Sequence, residues 1–140
     1  MTTASSVQPR RRWAPTIVRF LLGLPLALFG LNGFLNFIPQ PETPLPERAV
    51  AFATALMESG YMMPLIGLTQ LVVGLCLVFN RFVPLALVLL APFLVNSLAF
   101  HVFLEPSGLP PACVFLALHL YLAWVYRAAY RPLLTARFST

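Results

Sequence analysis

Residues 82–104 read FVPLALVLLAPFLVNSLAFHVFL, an apolar run interrupted only by Asn96, Ser97 and His101. No other feature limits the fold as strongly. A helix needs ~20 mostly apolar residues to cross the hydrocarbon core of a bilayer, about 30 Å thick, and this run supplies them. A helix also satisfies every backbone N–H and C=O within the segment, as the core of a bilayer demands. Composition agrees: the chain is 59% hydrophobic and 9% charged, with a mean hydropathy of +0.84, where soluble domains carry roughly 25% charged residues. Too few polar side chains remain to cover a water-facing surface. The expected class is an all-α integral membrane protein.

The rest of the chain divides accordingly. Residues 1–14 are small, polar and basic, as in a disordered cytoplasmic tail. Apolar runs at about 16–38, 61–79, 83–104 and 110–128 are the expected spans of a single membrane domain covering 15–131, with 132–140 as a second cytoplasmic tail. The first run is long enough to span and precedes the proline-rich PQPETPLP rather than a small-residue cleavage site, so it reads as a retained anchor and not as a signal peptide. Within 47–59, Val50, Ala53, Leu56 and Met57 recur at helical spacing, but the segment is short and charged. That pattern predicts an amphipathic helix lying in the interface. Pro84 falls near a helix start, where its missing N–H costs nothing. Pro25 and Pro92 fall inside spans and are expected to kink them. Gly23, Ala27 and Gly30 in the first span, and Gly67 and Gly74 in the second, form the small-residue stripes that permit close helix packing.

All nine basic residues are arginine. With four spans, Arg10, Arg11, Arg12, Arg19, Arg81, Arg127, Arg131 and Arg137 fall on one side of the membrane; Arg48 alone breaks the pattern. Glu42, Glu47, Glu58 and Glu105 fall on the other. By the positive-inside rule both termini are cytoplasmic. The short connections favour an antiparallel four-transmembrane-helix bundle. The arginines flank apolar runs rather than forming a basic patch interleaved with aromatics, so nucleic acid is not an expected partner.

Depth follows from the rise of ~1.5 Å per residue. Asn32, Asn36, Glu58, Tyr61, Gln70, Asn96, Ser97 and His101 then converge on the outer half of the bundle, while the inner half is nearly pure Leu, Val, Phe and Ala. Such groups are expensive in a membrane unless they are answered. They are either hydrogen bonds that fix helix register, at roughly 0.6–2 kcal/mol each, or the lining of an outward-opening pocket for a small molecule or lipid headgroup. In the second case Asn32, Asn36, Glu58, Tyr61, Gln70, Asn96 and His101 are the candidate ligand-binding residues, and His101 with Glu58 or Glu105 would move a proton. His119 stands alone among Leu and Ala and reads as a core residue. His101 and His119 lie roughly 5 Å and 13 Å below the outer edge by helix rise, which argues against a shared haem iron. Cys76 and Cys113 are on the order of 20 Å apart along the membrane normal, too far for a disulfide, whose Cα atoms lie within about 7 Å. No metal-ligand cluster, phosphate loop or Ser/His/Asp set is present.

The segment ESGYMMPLIGLTQLVVGLCLVFNRFVPLALVLLAPFLVNSLAFHVFLEPSGLP, above all SGY at 59–61, RFVPLAL at 81–87 and the Asn96 to His101 spacing, resembles the DoxX family of small four-helix bacterial membrane proteins. The likeness extends over about 16–134. It implies a bacterial inner-membrane bundle and a redox or stress-related setting, since some members of the family are small subunits of quinone-linked oxidoreductases. The paired-cysteine motif of some relatives is not matched. The expectation is an accessory subunit, leaning away from enzyme activity in the isolated chain, that binds a quinone or lipid headgroup. A redox-complex subunit or a second copy of the chain is the expected partner. The alternatives are a structural membrane protein and a small-solute permease; the permease would need a polar lining that the inner half lacks.

Overall fold

The computed structural model describes residues 13–39 and 44–134. The tails at 1–12 and 135–140, and Glu42, lie outside the described residues. Five α-helices follow in order: α1 (Trp13–Leu35), α2 (Glu47–Glu58), α3 (Met62–Val78), α4 (Val83–Phe103) and α5 (Leu109–Val125). Short 3₁₀ helices at Pro106–Gly108 and Arg127–Leu134 precede and follow α5. The second of these means that the basic segment after 128 begins as helix rather than as a bare tail.

The helix ends follow from local chemistry. Asn36 adopts a left-handed conformation (φ 49°) and its N–H returns to the Asn32 carbonyl at 2.9 Å, a common way to stop a helix. Pro64, Pro84, Pro110 and Pro111 all fall in first turns, where no intrahelical N–H is needed. Pro25 and Pro92 lie inside α1 and α4, and both helices run on through them.

The helices α1, α4 and the segment Pro106–Val125 are long and apolar enough to cross a membrane. At 17 residues, α3 is about 25 Å long, short of the ~30 Å core. A fourth span is reached only if α2 and α3, which meet at 90°, count together. The bend is made at Ser59–Tyr61, around Gly60 at φ +76°.

Packing explains the small residues. Gly23 lies against Gly74 and Leu77, and Gly30 against Gly67 and Leu71, so α1 and α3 run in opposite directions with backbones almost touching. Leu22, Leu26, Val73, Leu77, Leu87, Leu90 and Leu122 fill the core. Helix α1 also meets α5, and α4 meets both α3 and α5. Outside that core, residues such as Phe79, Val95, Phe103 and Trp124 are exposed. Helices that are apolar all round belong in a lipid solvent.

Candidate functional site

Leu26 of α1, Gln70 of α3, Ser97 and His101 of α4, and Phe115 of α5 line a single cavity of about 160 Å³. Four helices therefore contribute to one space, and its polar groups are Gln70, Ser97 and His101. A dry cavity of roughly 150 Å³ accepts a benzene-sized ring, so this one has room for one ring or a compact headgroup.

His101 is held from behind. Helix α4 ends at Phe103, and Glu105 returns its N–H to the Phe100 carbonyl at 3.1 Å. This places Glu105 ahead of the Pro106–Gly108 turn, where its carboxylate accepts from the Gly108 N–H at 3.0 Å and from the Ser107 hydroxyl. The same carboxylate lies 3.0 Å from His101 Nδ1, and the Glu105 carbonyl lies 3.1 Å from it. Both neighbours of Nδ1 are acceptors, so Nδ1 carries the proton and Nε2 is the acceptor of the neutral ring. Nε2 has no hydrogen bond among the described residues. Phe100 packs edge-on against the imidazole, with centroids 5.2 Å apart, and Phe52 of α2 packs on Phe100 at 5.7 Å.

The Ser107 hydroxyl, and after it the Gly108 N–H and His101, hold the Glu105 carboxyl below its usual value of 4.5, although partial burial opposes them. The sign follows directly. The unfolded chain takes up the proton first as pH falls. The contribution of Glu105 is therefore complete above 4.5 and is lost as pH falls through the depressed folded value. Thermal melting of the wild type should fall relative to Glu105→Gln as the sample is acidified below 4.5. Parallel pH profiles for the two proteins would show that this network contributes nothing to the fold.

The other expected site residues are distributed differently. Asn32 accepts from the Ile38 N–H at 2.7 Å through its side chain, and Asn36 ends α1 with a left-handed backbone, so the Asn32 amide caps the helix instead of lining the cavity. Asn96 lines a separate, mainly apolar groove of about 470 Å³ between α2, α3 and α4, with Phe52, Ile66 and Pro92. Glu58 and Tyr61 are exposed at the α2–α3 bend. Neither has a side-chain hydrogen bond among the described residues. The carboxylate beside His101 is thus Glu105, not Glu58. His119 is buried, and its Nδ1 has no partner among the described residues. Cys76 and Cys113 are free thiols.

One residue was not singled out from the sequence. Arg19 counts there as a topology signal, yet it is only 7% exposed. Its position inside the apolar run TIVRFLLG was the available clue.

No protein-family model matches the chain, and comparison with curated proteins and with solved structures found no match either.

Proposed function

We propose that the chain is an antiparallel four-helix membrane bundle with α2 lying in the interface, and that it binds a ring-sized or compact polar headgroup, a quinone or a lipid headgroup, in the cavity at His101. One observation carries this reading: an imidazole with its Nδ1 anchored on a carboxylate and its Nε2 unbonded lines a ring-sized space. In that arrangement Nε2 accepts a hydrogen bond from a ligand hydroxyl or, once protonated, donates one to a ligand carbonyl. Gln70 and Ser97 orient the ligand, and Glu105 holds the imidazole in place.

The topology has further support. Arg19 bonds to Leu77 near the end of α3, and Tyr130 after α5 bonds to Pro84 at the start of α4. These contacts bring Arg19, Arg81, Arg127 and Arg131 towards one end, whereas Glu47, Glu58 and Glu105 follow the opposite helix ends. Both termini are then cytoplasmic. The bacterial inner membrane, the redox setting and the role of accessory subunit rest on the DoxX-like segments alone.

Purification in mild detergent, followed by extraction and mass spectrometry, tests the reading. A stoichiometric quinone or defined lipid is expected with the wild type and with Asn96→Leu, which alters the separate groove. It should be lost from His101→Leu. Equal retention by all three proteins would mean that the cavity is not the site. The Asn32 amide, already engaged by the Ile38 N–H, favours a purely structural role for that side chain.

A further inference from the structure

The opposite end of the molecule holds a second cavity, of about 270 Å³, lined by Pro15, Thr16, Arg19, Asn80, Val125 and Tyr126. It lies where the start of α1, the α3–α4 turn and the end of α5 meet. Arg19 is the seventh residue of α1, ~9 Å along the helix from Trp13.

The guanidinium there is incompletely answered. Nη1 donates to the Leu77 carbonyl at 3.3 Å and Nη2 to Thr16 Oγ1 at 3.4 Å. Charge-assisted bonds are ordinarily about 2.7–2.9 Å long. A guanidinium carries five N–H donors, so two long bonds to neutral acceptors leave most of its capacity unused. No carboxylate pairs with it among the described residues. Glu47, Glu58 and Glu105 follow the far ends of the helices, and Glu42 lies outside the described residues.

A cation this buried ordinarily has an anionic partner, because desolvating it alone is costly. Helix dipoles do not supply one. The starts of α1 and α4 and the ends of α3 and α5 share this end of the molecule, so two positive and two negative termini roughly cancel. The full charge of Arg19 then leaves the cavity positive, and Arg81, Arg127 and Arg131 towards the same end add to that sign. Its planar fork matches an oxyanion bidentately.

We infer that this cavity is a binding site for a phosphate-class oxyanion, presented by a lipid headgroup or as free phosphate, with Arg19 as its anchor and Asn80 as a further donor. The site lies at the other end of the bundle from His101 and does not depend on the function proposed for that residue.

The test uses the full chain in mild detergent. Its probes are dioctanoyl phosphatidylglycerol, dioctanoylglycerol, which lacks the phosphate, and inorganic phosphate; the readout is native mass spectrometry or calorimetry. The phosphatidylglycerol should bind the wild type, and the phosphate-free lipid should not. Arg19→Gln should weaken that binding at least about tenfold, the range of a lost charge-assisted pair. Arg19→Lys, which keeps the charge and loses the fork, should weaken it by less. Asn80→Gly tolerates the left-handed turn (φ 55°) and removes only the amide, so it should lower affinity with an unchanged melting temperature. If Arg19→Gln does not fold, Arg19→Lys and Asn80→Gly decide the matter. Competition by inorganic phosphate identifies a free-anion site; its absence identifies a lipid headgroup. No phosphate-dependent binding to the wild type, or equal binding by wild type and variants, overturns the inference.

Discussion

Alanine at Gly30 should destabilise the protein by about 2–3 kcal/mol, at the upper end of what overpacking costs. The added Cβ would run into the backbone N of Leu71 and lie 2.7 Å from the Gly67 carbonyl oxygen. Backbone cannot rotate away as a side chain can, so the two helices must separate along their length. Gly74 stands in the same relation to Ala27 and Gly23, where a Cβ would meet the Ala27 N and approach the Gly23 carbonyl oxygen to 2.7 Å. The double variant should cost less than the sum of the singles, because the separation that relieves one collision relieves the other. Gly33 is the control. Its added Cβ lies 3.3 Å from Gly67 Cα, and alanine's better helix propensity, up to ~1 kcal/mol, offsets that crowding. Reversible unfolding in mixed detergent reads all four variants. Similar losses at Gly30 and Gly33 would show that close approach is not what holds this pair together.

The second large effect is expected at Gly108. Its backbone (φ −84°, ψ 0°) suits any residue, so alanine there introduces bulk without conformational strain. The new methyl would occupy the space of the His101 ring atoms Cε1 and Nδ1 and lie 2.7 Å from Glu105 Oε2. The imidazole has to leave the carboxylate. Under the function proposed above, titration with a short-chain benzoquinone should show affinity falling about tenfold or more, the range of a lost hydrogen bond together with the added cost of a misplaced ring. Glu105→Gln, which keeps a hydrogen-bond acceptor beside Nδ1, should lose less. Unchanged binding in Gly108→Ala would separate the ligand from His101.

The helices were legible in the sequence because apolar run length and proline placement set them. The expected spans of 16–38, 61–79, 83–104 and 110–128, and the interfacial segment 47–59, correspond to the five observed helices with ends displaced by at most a few residues. Position along each helix axis was equally legible, since it depends only on rise. Rotation about the axis was not. Helices α3, α4 and α5 are apolar on every side, so no hydrophobic face indicates which way a polar residue turns. Asn96 and Ser97 show the consequence. They sit side by side along α4, but neighbours on a helix point about 100° apart, and one lines the apolar groove while the other lines the His101 cavity. Glu105 was seen as near His101, but its role as a turn cap depends on the path of a loop, which carries no periodicity. Arg19 was hidden by its own plausibility as a topology signal.

The glycine seam has a consequence in the order of synthesis. Every residue of the seam, from Gly23 to Leu77, precedes residue 79, so its close contacts lie wholly within the first part of the chain. The His101 cavity draws on Leu26, Gln70, Ser97 and Phe115 and is complete only when the last helix arrives. A chain that stops after α3 contains every residue of the seam and only part of the cavity lining.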